Sequence, residues 1–391
     1  MSAQSNHSKN PWAVPYAQVA GILERDDIRV VDLRSPGEFD LDHLPKAVNL
    51  PLFDDAERAL IGTLYKRTSA EAAFEEGLAI LHERIAPLVN SIAKLVGRPA
   101  PKDDLVACLT RLTTGGIERV NREITKRVVE EPNENALVIH CWRGGLRSSS
   151  LVVLLRELGW DDVYALQGGY KSYRKHLLAE LDAWEAPATY ILRGSTGVGK
   201  TLVLHEIERL RPGWTLDLEG LADHRSSILG MVGRNPCSQK VFDSRLGLRL
   251  REGFSGLVVI EGESRKIGDS IMPLSVWRPL QEGSHLYLDA PTEYRIQVLI
   301  SDYLATSESR AELREQLPFI ERRLGANKWD GELVARLDDG REDELTKILL
   351  EEYYDPLYEH SEGRREVAER FMADDVPRVA KEIIAWIEAR P

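Results

Sequence analysis

Cysteine is scarce: the 391 residues contain three, Cys108, Cys141 and Cys237. None shares a Cys-x-x-Cys spacing with another, so the chain encodes neither a disulfide framework nor a cysteine-based zinc site. A reducing, cytoplasmic setting is the expectation. Long apolar runs are missing as well. No stretch approaches the roughly 18 apolar residues of a membrane span, and Met1 to Asn10 has no apolar segment, so no secretory leader is expected. Positive charge is in deficit: 51 Lys and Arg stand against 63 Asp and Glu, a net of −12. That excludes a chain built throughout as a polyanion binder and leaves room only for a local basic face. Internal repeats and low-complexity segments are also absent.

What is present is ordinary globular composition, 43% hydrophobic and 29% charged, over a length that allows two or three domains at about 150 residues each. The pattern predicts an α/β chain. Ile28 to Arg34, His43 to Pro51, Ala136 to His140 and Val163 to Leu166 read as strands of a first domain over residues 11–185. Residues from about 54 to 131 have helical spacing, in segments Ala56–Tyr65, Ala70–Val96 and Lys102–Val129, and read as a helical insertion. A hinge is expected at Ala183 to Pro187. A second α/β domain, 186–391, would use Thr189 to Arg193, Thr215 to Leu218, Leu257 to Ile260 and His285 to Leu288 as strands. From about Pro291 the chain reads as mostly helical and strongly charged.

Two loops carry chemistry. His140-Cys-Trp-Arg-Gly-Gly-Leu-Arg-Ser148 lies between a predicted strand and a predicted helix. Such a loop aims backbone N–H groups and a helix N-terminus at the sulfur, and Arg143 and Arg147 add full charge. All three favour thiolate, which makes Cys141 a nucleophile. Gly144 and Gly145 permit a tight turn, and Ser148, Asp32 and Arg34 are read as loop support. The layout is that of rhodanese-type sulfurtransferases and cysteine-dependent phosphatases. The spacing from Cys141 to Arg147 is the phosphatase one, wide enough for a tetrahedral phosphorus group. The second loop, Gly194-Ser-Thr-Gly-Val-Gly-Lys-Thr201, satisfies G-x-x-x-x-G-K-[ST] in the required strand-to-helix context. Gly194, Gly197 and Gly199 bring amides to phosphate oxygens, Lys200 adds a cation, and the Thr201 hydroxyl can hold Mg²⁺. Its acidic partner is open: Glu261, Glu263, Asp217 and Glu219 are candidates, and each can equally be a salt-bridged strand-end acid.

Nucleic-acid signals are weaker. Residues 225–251 hold six basic side chains (Arg225, Arg234, Lys240, Arg245, Arg249, Arg251) against Asp243. They can track an RNA backbone or form a solvated helix face with ion-pair partners outside this window. Trp142 can stack on an extruded base or pack in its loop. Lys66, Arg67, Lys94 and Arg98 leave the insertion as a tRNA shelf or a packing element. Tyr353, Tyr354 and Tyr358 read as core, and Cys108 and Cys237 as structural. The acidity concentrates in residues 330–391, with 9 basic and 18 acidic side chains, so the other 329 residues sum to −12 + 9 = −3.

Val31-Asp-Leu-Arg-Ser-Pro-Gly-Glu-Phe39, His43 to Pro51 and Leu166-Gln-Gly-Gly-Tyr170 resemble rhodanese domains. The order of cysteine loop and P-loop, with Gly168-Gly-Tyr-Lys171, Asp217 to Ser226, Glu263 to Gly268, Arg323-Leu-Gly325 and Glu351 to Tyr358, resembles the tRNA 2-selenouridine synthase family over nearly the whole chain. The resemblance implies a rhodanese-like parallel-sheet domain with a helical insertion, then a P-loop NTPase-like α/β domain with a helical C-terminal segment. It implies a transferase acting on 2-thiouridine at the tRNA wobble position. Geranyl diphosphate would alkylate the sulfur, and selenophosphate would then deliver selenium. No tightly bound cofactor is expected, Mg²⁺ is an option, and a selenophosphate-supplying enzyme is a candidate partner; neither DNA nor a membrane is expected. The competing reading is a cysteine phosphatase or sulfurtransferase fused to a P-loop small-molecule kinase.

Overall fold

The computed structural model describes residues 13–23, 25–114, 135–357 and 366–390. The chain divides into two compact units, Met1–Ala179 and Glu180–Pro391. No helix among the described residues is long and apolar enough to cross a membrane.

The first unit is built on five parallel strands: β1 (Ala13–Pro15), β2 (Arg29–Asp32), β3 (Ala47–Asn49), β4 (Leu137–His140) and β5 (Val163–Gln167), in the order β1-β5-β4-β2-β3. The central strands read as unbroken apolar runs because a parallel sheet is covered on both faces; β4 is buried at all four positions. The sequence carries no signal for β1, which precedes the first expected strand. Three residues are too short for a period, and β1 exists because β5 offers a free edge.

Between β3 and β4 come helices Asp55–Arg67, Ala70–Leu95 and Leu105–Thr113. Each has an N-cap whose side chain accepts an otherwise unpaired amide: Asp54 from Glu57, Ser69 from Ala72, Asp104 from Ala107. Residues 115–134, where the third expected helix would continue, lie outside the described residues. Pro87 sits inside the second helix without ending it. The reason is packing: Ile85, Leu88, Val89 and Ile92 join Val31, Ile139 and Leu154 in one core, and that burial outweighs the lost backbone bond. The insertion is therefore part of the domain core. Arg98 belongs to it, paired with Asp162 and stacked 5.1 Å over Trp160. Lys66, Arg67 and Lys94 are exposed. Cys108 is buried in this core.

The register places Asp32 beside His140, at the carboxyl edge where the cysteine loop begins. Asp32 is fully buried and Arg34 is 1% exposed. The guanidinium grips the carboxylate through Nε at 2.9 Å and Nη2 at 2.6 Å, and Nη2 also donates to the Asp42 carbonyl at 2.7 Å. The same guanidinium lies 3.9 Å from the Tyr170 ring, whose hydroxyl donates to Asp42 at 2.6 Å. A buried, multiply bonded pair binds together β2, the Asp42 turn and the segment after β5.

The second unit has β6 (Ala188–Arg193), β7 (Thr215–Leu216), β8 (Leu257–Glu261), β11 (Ser284–Asp289) and β12 (Glu369–Met372) in the parallel order β12-β11-β6-β8-β7. A two-stranded antiparallel ribbon, β9 (Lys266–Ile267) with β10 (Ser270–Ile271), lies apart. Most of the chain after Pro291 is helical, as its spacing predicts, but β12 interrupts it. Glu369-Arg-Phe-Met carries little strand signal because an edge strand here buries one residue, Phe371. Helix Val376–Glu388 then packs Val379, Ala380, Ile383 and Ile384 against Val203, Leu204 and Ile207 of helix Lys200–Leu210. Tyr354 is core and Tyr353 is half-buried beside it, while Tyr358 lies outside the described residues.

Removing one member of a buried pair leaves an uncompensated charge. Asp32→Ala is expected to cost the first unit about 3–5 kcal/mol, read by urea denaturation. The paired change Asp32→Leu with Arg34→Met should cost less.

Candidate functional site: a cysteine cradle and a phosphate loop

The cysteine loop leaves β4 and enters helix Leu146–Glu157. Gly144 takes φ +62 and lies so close to the Leu166 carbonyl that a Cβ would collide with it. Gly145 has φ −95 and open space beside it, so the tight turn rests on Gly144 and not on both glycines. The following loop clasps the first: the Tyr170 amide donates to the Cys141 carbonyl at 2.9 Å and the Lys171 amide to the Trp142 carbonyl at 3.0 Å. Trp142 packs tilted against Tyr170, ring centroids 5.2 Å apart.

Cys141 is 2% exposed, with Sγ 3.4 Å from the Ser148 hydroxyl. Burial gives the largest single push on this thiol, upward. The charge of Arg147, the Ser148 hydroxyl, and the Ser148 and Arg143 amides together outweigh it, and the thiol lies below its ordinary range. His140 is pushed down to about 4, first by burial and then by Arg34, against the pull of Asp32, so it is neutral at pH 7. Arg143 is exposed and Arg147 half-buried. The loop borders a cavity of about 290 Å³ with a largely apolar wall.

The phosphate loop leaves the central strand β6. Gly194, at φ +142, has the Leu288 carbonyl 2.5 Å from where a Cβ would stand, so only glycine fits. Lys200 starts the helix, and its ammonium donates to the Gly194 carbonyl at 3.1 Å. The buried Arg295 donates to the Thr196 carbonyl at 2.8 Å while paired with Asp355, which holds the loop from the side. Gly197, Gly199, Lys200 and Thr201 border a cavity of about 360 Å³ that also contains Glu219, Glu261 and Glu263.

Those three carboxylates come within 4.8 Å of one another. Glu261 ends β8, 1% exposed, and neither of its carboxylate oxygens has a hydrogen-bond partner. Burial, Glu219 and Glu263 push its pKa well up. Glu263 is pushed up to about 7, by burial first and then by Glu219, against the pull of Lys200. Glu219, on helix Leu218–Ala222, is also raised, mainly by burial. Hard oxygen donors with orphaned lone pairs beside a phosphate loop suit a divalent cation such as Mg²⁺. Asp217 borders the same cavity but is committed elsewhere: it caps that helix through the Gly220 amide and meets His205 at 2.8 Å.

The basic run is mostly engaged within its own unit. Arg225 pairs with Asp302 at 2.5 Å and stacks on Tyr303. Arg249 donates to the Thr215 carbonyl, Arg245 to the Leu221 carbonyl, and Arg251 pairs with Glu180. Arg234 lies 3.7 Å from Asp302, and Lys240 is exposed in the first turn of helix Gln239–Glu252. Cys237 is half-buried against the Leu221 carbonyl. Spacing in the sequence had no signal for Arg295. Nor did it single out Arg193, which donates to the Gly262 carbonyl at 2.9 Å and so holds the turn between Glu261 and Glu263. A charged residue closing an apolar strand just before the P-loop was the available clue.

A family model described as the tRNA 2-selenouridine synthase AAA domain matches residues 187–390, and one described as a rhodanese-like domain matches 111–176. The chain is 30% identical to the tRNA 2-selenouridine synthase of Nitrosomonas europaea over 87% of this chain and 91% of that one. It is 31% identical to that of Marinobacter nauticus over 86% and 88%, and 28% identical to that of Pseudomonas aeruginosa LESB58 over 93% and 95%.

Two measurements check the electrostatics. Arg147→Gln should raise the Cys141 thiol pKa, seen as a shift of the ultraviolet thiolate absorbance to higher pH. The raised carboxyls of Glu261 and Glu263 bind protons more tightly folded than unfolded. Their contribution to stability is whole below the unfolded glutamate pKa and is lost as pH rises through about 7. The thermal midpoint of the second unit should fall from about pH 5 to about pH 8, and Glu263→Gln should flatten that fall.

Proposed function

Because the chain belongs to the tRNA 2-selenouridine synthase family, we propose that it converts wobble 2-thiouridine of tRNA to 2-selenouridine in two steps, one served by each loop. In the first, the thiocarbonyl sulfur attacks the first carbon of geranyl diphosphate. The carbon–oxygen bond breaks, diphosphate leaves, and the base loses its N3 proton to solvent. In the second, selenium from selenophosphate adds at C2 and the geranyl thiolate leaves. Water takes the phosphorus as phosphate.

A thiocarbonyl sulfur is already a good nucleophile, so the first step chiefly needs a stabilised leaving group. Lys200, the Thr201 hydroxyl and the loop amides present positive charge to a diphosphate as its negative charge grows. A divalent cation held by Glu219, Glu261 and Glu263 would add charge neutralisation there. No ATP cleavage is required, which accords with glutamates standing where an ATP hydrolase usually has an aspartate.

The second step needs selenium delivered beside the base. Cys141 attacks the phosphorus of selenophosphate, the phosphorus–selenium bond breaks, and the released hydrogenselenide adds at C2 with its proton passing to N3. Water then cleaves the sulfur–phosphorus bond to free phosphate, while Arg143 and Arg147 neutralise the tetrahedral anion. The observation that carries the reading is the placement of Cys141, with Sγ 3.4 Å from the Ser148 hydroxyl at the start of helix Leu146–Glu157 and with Arg143 and Arg147 lining the same cavity. Packing alone has no need of a stabilised thiolate.

The test is nucleoside mass spectrometry of tRNA treated with purified variants. Cys141→Ser should lower 2-selenouridine formation by about 100-fold or more, and Lys200→Ala should slow geranylation of thiolated tRNA by about 100-fold. Selenation by Cys141→Ser at the wild-type rate would sink the cysteine step. Geranylation by Lys200→Ala at the wild-type rate would sink the P-loop step.

A further inference from the structure

The inserted helices shape an empty space as well as a core. The cavity of about 290 Å³ beside Cys141 is walled by Leu52, Phe53, Ile61, Phe74, Leu78 and Leu81, and Cys141, Arg143 and Arg147 line its polar side. Two small residues one turn apart, Ala73 and Gly77, also line it. A Cβ on Gly77 would stand 3.3 Å from the Phe53 ring and 3.6 Å from Ile61, so the glycine keeps this space open.

An anion in the cradle has no use for such a wall. Loops that bind only phosphate or a selenium anion work with amides and cations, and an unfilled apolar cavity forfeits packing. The arrangement matches a ligand with two ends: a polar reacting end at Cys141 and a short hydrocarbon reaching between the inserted helices. Ligand sites commonly span about 300–1,000 Å³. This one is at the small end, the size for a short isoprenoid and too small for a long acyl lipid.

We propose that this cavity is the binding site for the geranyl group of S-geranyl-2-thiouridine, which lies between the inserted helices while C2 of the base faces Cys141. The proposal rests on the two-step reading above. It makes the helical insertion the specificity element of the selenation step, a role distinct from the diphosphate chemistry at the P-loop. Ala73 and Gly77 set the depth of the cavity, and Phe74 bounds its wall.

The experiment uses the full-length protein and anticodon stem-loop RNAs carrying S-methyl-, S-geranyl- or S-farnesyl-2-thiouridine at the wobble position. Binding and conversion to 2-selenouridine are both measured. Each buried methylene is worth about fourfold in affinity, so the wild type should bind the geranyl RNA at least about 100-fold tighter than the methyl RNA. Gly77→Leu and Ala73→Leu should cut that ratio to about tenfold or less. Phe74→Ala should improve farnesyl RNA binding about tenfold or more, a gain that misfolding cannot imitate. A wild-type ratio near one, or filling variants that leave the ratio unchanged, would overturn the proposal. Chain-length-dependent binding without selenation supports the cavity and defeats the two-step reading. Selenation with a ratio insensitive to filling does the reverse.

Discussion

A parallel strand must pass its chain to a helix that begins near the strand's carboxyl edge, and the first amides of that helix have no partner within it. Both loops described above are built on this constraint. β4 hands the chain through Cys141 to helix Leu146–Glu157, and β6 hands it through the phosphate loop to helix Lys200–Leu210. In each unit the same unpaired amides and the same helix dipole end are turned toward a position where negative charge can sit. The rest of each unit serves to hold that loop still: the Asp32–Arg34 pair and Tyr170 in one, Arg295 and Arg193 in the other.

From that common device the two sites diverge through their side chains. The cysteine cradle adds cations, and Arg147 with Ser148 overcomes the desolvation that would keep a buried thiol protonated. The phosphate loop turns Lys200 toward Glu219, Glu261 and Glu263, whose burial first, and then their mutual repulsion, keeps protons on the carboxyls. A low-dielectric pocket cannot keep three carboxylates ionised side by side without a compensating cation. The cradle is thus set up as a nucleophile in an electropositive loop. The P-loop pocket instead sets one ammonium against a cluster of proton-holding carboxyls.

Most of the secondary structure was legible from local pattern, because buried parallel strands are apolar runs and the inserted helices have clear N-caps and spacing. The two missed strands share one cause. β1 and β12 are edge strands of three and four residues, held by a neighbour's open edge and not by any pattern of their own. The segment Ala70–Val96 reads as helical through Pro87, and the helix Ala70–Leu95 does run through it because its apolar face joins the sheet core. For the basic run the sequence leaves open an RNA track or a solvated face with ion pairs outside it; Arg225 and Arg251 pair with Asp302 and Glu180 beyond the run, and Arg245 and Arg249 bond to carbonyls of other segments.

The sequence by itself determined the two loops, since each is a contiguous string that carries its own turn-forming glycines, cationic side chains and, in one, the nucleophile. It also determined the α/β class and the place of the insertion. Tertiary structure alone decided which acids meet at Lys200, choosing Glu219, Glu261 and Glu263 and diverting Asp217 to a helix cap and His205. It decided that Gly144 makes the tight turn while Gly145 does not. It decided as well that an apolar cavity opens beside Cys141. The physical reason is the same each time: burial, proton affinity and empty volume arise from side chains far apart in the chain, and no local spacing encodes their distance.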